Sequence, residues 1–260
     1  MIGAIAGDII GSVYEWHNIK TKDFPLFGKE CHFTDDTVMT IAVAEGLMDG
    51  GHPDDYIRAM QRLGRLYPNV KYGDYFRKWI FTDNPSPYNS WGNGSAMRVS
   101  PVGWQLNSLA ATERAAEVSA AVTHNHPEGI KGAQAIAAAI YLVRAGKSKE
   151  EVKSYITHNF GYDLSRTLDD IRPTYTFDVS CAGTVPEAII AFLESECFED
   201  AIRNAISLGG DSDTLAAIAG SMAEATYGIP NTIKDRALSL LDAPLLEVLD
   251  RWQKRAPIPE

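Results

Sequence analysis

Residues 209–227, GGDSDTLAAIAGSMAEATY, place two glycines and two aspartates directly before a long run of small apolar residues. From Ser212 to the end of the stretch, only Asp213 and Glu224 carry charge. A helix that is apolar on nearly every side is normally buried in the core of a protein. The stretch therefore predicts an interior helix whose buried N-terminus carries Asp211 and Asp213.

A second stretch, PEGIKGAQAIAAAIYLVRAGK at residues 127–147, predicts another central helix. Pro127 suits the first turn of a helix, and the stretch stays apolar around most of its circumference through Leu142. Helical periodicity recurs along the rest of the chain, in DDTVMTIAVAEGLMDGG (35–51), HPDDYIRAMQRLGRLYP (52–68) and SLAATERAAEVSAAV (108–122), and in amphipathic stretches suited to an outer layer at 149–160, 199–208, 232–241 and 244–255.

Strand patterns are scarce, because alternation of β-branched residues rarely lasts beyond four positions. We therefore predict an all-α fold, a single compact domain of orthogonally packed helices that covers residues 1–260. Two long connections, 83–95 and 167–184, carry aromatic residues, and long loops in a compact domain are often functional.

The composition excludes several classes of protein. The 34 acidic and 24 basic residues give a net charge of −10, which argues against a nucleic-acid partner bound through a general basic surface. Three cysteines without C-x-x-C spacing indicate reduced, buried thiols rather than disulfides or a zinc site. The apolar start meets Asp8 and Glu15 too early for a signal peptide, so we predict a cytoplasmic protein with no membrane partner.

Two acidic pairs stand at predicted helix starts, within Thr34-Asp35-Asp36-Thr37 and Asp211-Ser212-Asp213-Thr214. One carboxylate is enough to cap a helix, and a second one beside it repels the first unless solvent or a cation separates them. Each pair therefore has two interpretations, a helix cap or part of a site for a hard divalent cation. Carboxylate and hydroxyl oxygens suit Mg²⁺ or Mn²⁺ better than zinc.

Two further polar clusters are weaker signals by themselves. The Gly92-Asn93-Gly94-Ser95 loop is either a close backbone approach to a ligand or a turn into a short helix over 95–99. His124 and His126 precede Pro127, which indicates that at least one of them is a structural histidine at a helix start and that the letters HNH mark no nuclease.

Five motifs occur in one order between residue 3 and about residue 220: GAIAGDIIGSVYE, FTDDTVMTIAVAEGL, GNGSAMRVSPVG, THNHPEGIKGAQA and GGDSDTLAAIAG. In this order they resemble the ADP-ribosylglycohydrolase family, which includes dinitrogenase reductase-activating glycohydrolases and ADP-ribosylarginine hydrolases. The resemblance implies an all-α fold with a two-metal cleft that holds Mg²⁺ or Mn²⁺. It also implies hydrolysis of the glycosidic bond between ADP-ribose and a modified acceptor, with arginine side chains on protein as the first candidate and ADP-ribose as a product.

The resemblance also assigns residues to roles. It implies a catalytic role for Glu15, Asp36 and Asp213, with Asp213 as the bridging ligand and Asp8 as a structural acid. The implied metal ligands are Thr34, Asp35, Asp36, Asp211, Asp213 and Thr214. The implied substrate-binding residues are Asn93, Gly94, Ser95, Met97, His124, Gly210 and Ser212, and the resemblance places His124 against the pyrophosphate or its neighbouring ribose.

One departure leaves the general acid or base open. Some members carry an acid shortly before the GNG loop, where this chain has Ser90 and Trp91, and Asp83 is too distant to replace it. Four aromatic residues near the motifs either contact adenine or the acceptor or are buried, and burial is the expectation for most of them: Tyr14, Trp16, Tyr88 and Trp91.

Three other functions fit the sequence less fully. The chain could hydrolyse another ADP-ribosyl linkage, such as a serine O-linked or non-protein one. It could be a metal-dependent phosphohydrolase, although those enzymes place a D-x-D motif after a buried strand and the residues before Asp211 predict a helix. It could also be a non-catalytic ADP-ribose-binding module, which would be expected to lose one or more of the acids.

Overall fold

The computed structural model describes residues 1–255, and the last five residues of the predicted domain, 256–260, lie outside the described part. Fifteen helices account for the fold of the described residues: α1 (Ile2–Gly11), α2 (Asp35–Asp49), α3 (Pro53–Leu66), α4 (Asp74–Phe81), α5 (Gly94–Met97), α6 (Ser100–Gln105), α7 (Leu109–Ala121), α8 (Pro127–Arg144), α9 (Lys149–Phe160), α10 (Leu168–Ile171), α11 (Cys181–Leu193), α12 (Phe198–Ser207), α13 (Ser212–Tyr227), α14 (Asn231–Leu238) and α15 (Ala243–Gln253). Residues 1–255 form no strand, and the all-α prediction is confirmed.

Helix α13 lies at the centre of the molecule, as its composition predicts. Every residue from Ser212 to Ala223 is buried. Helices α1, α11 and α12 pack against it, and α8 also contacts it. The apolar side chains of these helices form one continuous core, in which α13 is buried from several sides.

Helices α1 and α13 approach each other so closely that their backbones touch. A Cβ atom added at Gly7 would lie 2.1 Å from the Ala216 carbonyl oxygen, and one added at Gly3 would lie 2.2 Å from the Gly220 carbonyl oxygen. Only glycine fits at such a contact. All ten residues of α1 are buried, although the sequence pattern there does not predict a helix.

The predicted start and stop residues of two helices take the expected positions. The Thr34 side chain caps α2 by accepting a bond from the Asp36 amide at 3.2 Å, and α2 ends at Gly50. In α8, the His126 ring accepts a bond from the Glu128 amide, and Pro127 occupies the first turn. His126 is thus the structural histidine that the sequence led us to expect.

Three expectations about local structure are wrong. The stretch 167–184 is not one long loop, because it contains α10 and its end belongs to α11. The short helix expected over 95–99 instead spans Gly94–Met97, and α6 follows it. Cys197 is exposed at the start of α12, whereas Cys31 and Cys181 are buried as expected.

Among the described helices, none has the length and hydropathy needed to cross a bilayer.

Candidate active site

Asp8, near the end of α1, joins that helix to the start of α2. Its carboxylate accepts bonds from the Thr34 amide at 3.0 Å, the Thr34 hydroxyl at 2.7 Å and the Thr37 amide at 3.0 Å, and also from the Thr37 hydroxyl. Asp8 is fully buried. Burial raises its pKa, and these hydrogen bonds oppose that shift. Asp8 therefore fixes the turn that presents Asp35 and Asp36.

The two acidic pairs meet where the N-termini of α2 and α13 come together. The Thr214 hydroxyl lies 3.4 Å from the Asp36 Oδ2 atom and donates to it across the gap between the helices. Asn93 donates from Nδ2 to Asp211 Oδ2 at 2.7 Å and to the Thr184 hydroxyl at 3.1 Å. The GNG loop is thereby attached to Asp211, the N-cap residue of α13.

Carboxylate oxygens crowd together at this junction. Oxygen atoms of Glu15, Asp211 and Asp213 lie within 4.8 Å of one another. Burial raises the pKa of Asp213 and Asp36 well above the usual range, and the neighbouring carboxylates raise both further. Burial and the charge of Asp213 raise the pKa of Glu15 to about 7.

The donor set fits a divalent metal ion. The Asp36 Oδ1 atom is buried and has no hydrogen-bond partner among the described residues, although a buried carboxylate oxygen normally has one. All the candidate ligands are hard oxygen donors, which suit Mg²⁺ or Mn²⁺. A cation among these acids would neutralise the repulsion and give Asp36 Oδ1 a partner.

A cavity of about 620 Å³ opens from these acids to the surface. This volume is in the range of small-molecule sites. Ten of the predicted site residues line it: Glu15, Asp35, Asp36, Asn93, Gly94, Met97, His124, Asp211, Asp213 and Thr214. The structure thus brings residues from all five sequence motifs to one cavity.

Four predicted site residues lie behind the cavity wall rather than on it. Thr34 donates to Asp8, and the Ser95 hydroxyl donates to the Gly129 carbonyl at 2.6 Å. The Gly210 amide donates to Asn18 Oδ1 at 2.8 Å, and the Ser212 hydroxyl donates to the Gly210 carbonyl at 3.3 Å. In this structure these four residues hold the loops of the site through hydrogen bonds.

The mouth of the cavity is aromatic, and the expectation that most of the four aromatic residues are buried is wrong. Trp16 is 61% exposed and Trp91 is 51% exposed, whereas Tyr14 and Tyr88 are half-buried. Trp16 stacks on Phe177 with ring centroids 5.3 Å apart. These exposed rings form a surface on which a flat ligand group can lie.

Several lining residues were missed by the sequence motifs. Phe177 and Val179 come from the segment before α11, which reaches the site because the Asn93 amide donates to the Val179 carbonyl at 2.7 Å. The sequence feature that could indicate these residues is the aromatic content of the stretch 167–184. Lys71, Tyr75 and Arg98 also line the cavity.

Comparisons with known proteins agree with this geometry. The model of the family described as ADP-ribosylglycohydrolase matches residues 1–256. An ADP-ribosylarginine hydrolase Tri1 of Pseudomonas putida (strain GB-1) is 28% identical over 88% of this chain and 70% of that protein. An ADP-ribosylhydrolase ARH3 of Homo sapiens is 27% identical over 88% of this chain and 84% of that protein.

A solved structure titled ADP-ribosylglycohydrolase-related protein complex has the same fold. It superimposes with a TM-score of 0.68 at 22% identity, covering 92% of this chain and 95% of the other. Five ordered motifs converge on one acid-lined cavity, and the family model matches nearly the whole chain. The chain therefore belongs to the ADP-ribosylglycohydrolase family of hydrolases.

Proposed function

We propose that this protein hydrolyses the glycosidic bond between ADP-ribose and an arginine side chain on a modified protein. The observation that carries the proposal is the cavity itself, which has four aspartates and Glu15 at its inner end and exposed aromatic rings at its mouth. The products are free ADP-ribose and the unmodified side chain.

The acids at the inner end are proposed to hold two divalent cations. Asp35, Asp36, Asp211, Asp213 and Thr214 are the ligands that line the cavity, and Thr34 is adjacent to them. Bound Mg²⁺ or Mn²⁺ would supply positive charge that attracts ribose hydroxyls and makes a nearby water easier to deprotonate. Asp36 and Asp213 serve catalysis by keeping this charge at the inner end of the cavity.

Glu15 is the proposed proton acceptor. It is a half-buried carboxylate that lines the cavity beside Asp213, and a carboxylate positioned in this way can act as a general base. Water attacks the anomeric carbon of the ribose, and the bond from that carbon to the acceptor nitrogen breaks through an oxocarbenium-like state. Glu15 takes the proton from the water and returns it to the leaving guanidine nitrogen.

The acceptor side has features that favour arginine. The stacked rings of Trp16 and Phe177 lie at the cavity mouth with Glu15 also in the lining, and a planar guanidinium packs well on aromatic faces. The Tri1 relative is named for arginine, whereas the ARH3 relatives are named without an acceptor.

One residue favours a second candidate, a neutral acceptor such as an O-linked serine. The Lys71 ammonium lies 5.6 Å from the centre of the Trp16 ring, where it would repel an incoming guanidinium. Hydrolysis of an uncharged linkage would avoid this repulsion.

The test is incubation of the protein with peptides ADP-ribosylated on arginine or on serine, in Mg²⁺, in Mn²⁺ or in EDTA. We expect release of free ADP-ribose from the arginine peptide in either metal and none in EDTA. Faster release from the serine peptide than from the arginine peptide would favour the second candidate, a neutral O-linked acceptor. Binding of ADP-ribose without any turnover, or release of orthophosphate without ADP-ribose, would contradict the proposed function.

A further inference from the structure

Glu15 lies in a segment without regular secondary structure. Residues 12–34 connect α1 to α2 and contain no helix or strand, so no repeating pattern of backbone hydrogen bonds holds the Glu15 backbone in place. A carboxylate oxygen of Glu15 nevertheless lies within 4.8 Å of oxygens of Asp211 and Asp213. The contacts that join residues 12–34 to the turn before α13 therefore decide where Glu15 lies.

The side-chain amide of Asn18 pairs with Gly210 in both directions. Asn18 Nδ2 donates to the Gly210 carbonyl at 2.9 Å, and the Gly210 amide donates to Asn18 Oδ1 at 2.8 Å. Two bonds of opposite direction fix the rotation of the side chain as well as its distance from the glycine. Asparagine can form this pair because its side chain carries both a donor and an acceptor, whereas an ionised aspartate offers acceptors only.

The same nitrogen atom also holds the backbone at Glu15. Asn18 Nδ2 donates to the Tyr14 carbonyl at 2.7 Å and to the Glu15 carbonyl at 2.9 Å. Since the nitrogen has two hydrogens and three carbonyl acceptors, one N–H is shared between two carbonyls. The Asn18 amide thus lies between the backbone of Glu15 and that of Gly210, the residue directly before Asp211.

The turn on the far side of this link is held firmly by other contacts. Gly209 and Gly210 both have a φ angle of 72°, in the region that favours glycine. A Cβ atom added at Gly210 would lie 2.7 Å from Cε1 of Tyr175, so this ring packs directly against the turn. The Lys20 ammonium donates to the Leu208 carbonyl at 2.5 Å and to the Tyr175 carbonyl at 2.6 Å. The turn is therefore fixed on two sides independently of the Asn18 amide.

Neither burial nor ligand contact accounts for the bonds of Asn18. The residue is exposed and lies outside the cavity lining. Without its amide, Asp211 would stay in place, because Lys20 holds the turn before it and Asn93 donates to its carboxylate. The Glu15 backbone would lose a donor that ties it to this turn. The Asn18 amide therefore controls the position of Glu15 more than that of the aspartates.

We propose that Asn18 is a positioning residue, whose side-chain amide joins the Glu15 backbone to the Gly210 turn and so places the Glu15 carboxylate beside Asp211 and Asp213. The role of Glu15 as proton acceptor rests on the proposed function, whereas the link through Asn18 is formed by the protein alone. A displacement of about 1 Å at a reacting group can lower a rate about a hundredfold. Asn18 therefore affects kcat without touching the substrate.

The first test measures the link itself, by amide hydrogen exchange of the ligand-free full chain in Mg²⁺ followed by NMR. We expect exchange at the Gly210 amide to be at least about tenfold faster in Asn18→Ala than in the wild type, because the variant lacks the acceptor. Asn159→Ala is the matched control, since Asn159 is also exposed and donates to the Tyr155 carbonyl within α9. Equal exchange at Gly210 in the wild type and Asn18→Ala would overturn the proposal.

The second test separates catalysis from binding. With an ADP-ribosylated peptide in Mg²⁺, we expect Asn18→Ala to lower kcat about 10- to 100-fold, while the Kd values of ADP-ribose and Mn²⁺ change less than about twofold. Asn18→Asp should lower kcat at least as much, because an ionised carboxylate cannot donate to the three carbonyls. Asn159→Ala and Asn159→Asp should keep the wild-type kcat. Unchanged kcat in either Asn18 variant, or a loss of Mn²⁺ or ADP-ribose binding as large as the loss of kcat, would overturn the proposal.

A double-mutant cycle shows whether Asn18 acts through Glu15. Asn18→Ala added to Glu15→Gln should lower kcat by less than about twofold further, whereas losses that multiply would overturn the proposal. If Asn18→Ala does not fold, Asn18→Asp takes its place in the cycle. Failure of the wild type to release ADP-ribose from any peptide would refute the proposed function, and hydrogen exchange at Gly210 would still decide whether the link exists.

Discussion

At the scale of single residues, the aspartates at the starts of α2 and α13 do not cap these helices through their side chains. Thr34, not Asp35 or Asp36, caps α2 through its side chain. Asp211 occupies the N-cap position of α13, but its side chain caps no backbone amide of that helix and accepts a bond from Asn93 instead. The carboxylates are therefore free to face the cavity and bind a cation.

Replacement of Asp213 by Asn should remove cation binding at this site while leaving the fold intact. The change removes a buried carboxyl group whose charged form is disfavoured by its surroundings, so in EDTA the melting temperature should stay equal or rise. We expect release of ADP-ribose to fall at least about a thousandfold. Calorimetric titration with Mn²⁺ and an ADP-ribose release assay check both parts, and full activity in Asp213→Asn would contradict the metal assignment.

Replacement of Glu15 by Gln should slow hydrolysis without weakening the binding of ADP-ribose. We expect kcat to fall about 10²–10⁴-fold, the usual contribution of a general base, and the Kd of ADP-ribose to change less than about threefold. Glu30→Gln provides a matched control, because Glu30 is exposed and lies outside the cavity lining. A weaker Kd with unchanged kcat would assign Glu15 to binding and not to proton transfer.

At the scale of helices, sequence patterns predicted the elements with long apolar runs and clear end signals. Helices α2, α8 and α13 are of this kind, and their observed bounds lie close to the predicted ones. Helix α11 was missed because Gly183 and Pro186 interrupt its pattern, although Pro186 is buried within the helix. Helix α1 was missed because its glycines are poor helix formers by themselves and are explained only by contact with α13.

The close contact between α1 and α13 can be tested by adding one methyl group to it through a glycine-to-alanine substitution. Gly7→Ala should destabilise the protein by about 1–3 kcal/mol, because the new Cβ atom would lie 2.1 Å from the Ala216 carbonyl oxygen and the backbones must separate. Gly28→Ala is the control, because an added Cβ there has no neighbour within 4 Å. Urea unfolding measures both, and equal stability of the two variants would contradict the close packing.

At the scale of the whole molecule, the sequence predicted the inner end of the site better than its mouth. Acid pairs at helix starts are visible in sequence because capping does not require both carboxylates. Trp16 and Phe177 were not predictable as a pair, because only the tertiary fold brings residues from two distant segments into stacking contact. The single domain over 1–260 remains a prediction.

The pH dependence of stability should reveal the acid cluster. Burial raises the pKa of Asp211 to about 6 and that of Glu15 to about 7, above the values of unfolded chains. Their stabilising contribution is full at low pH and is lost as the pH rises through these values, because charges then accumulate in the cluster. In EDTA the melting temperature should therefore fall between pH 5 and pH 8.

Saturating Mg²⁺ should reverse that fall, because cation binding requires the deprotonated acids and therefore strengthens with pH. Differential scanning calorimetry with and without the ion measures the difference. Parallel curves in Mg²⁺ and EDTA would show that these acids do not share a cation.

The most direct measurement of the central claim, that the acids of α2 and α13 form one metal site, is a crystal structure of the protein grown with Mn²⁺ and analysed by anomalous scattering. Anomalous density is expected between Asp36 and Asp213, with Asp36 Oδ1 now coordinated and Asp213→Asn crystals lacking the signal. Density bound to only one of the two helices, or none at this junction, would contradict the claim.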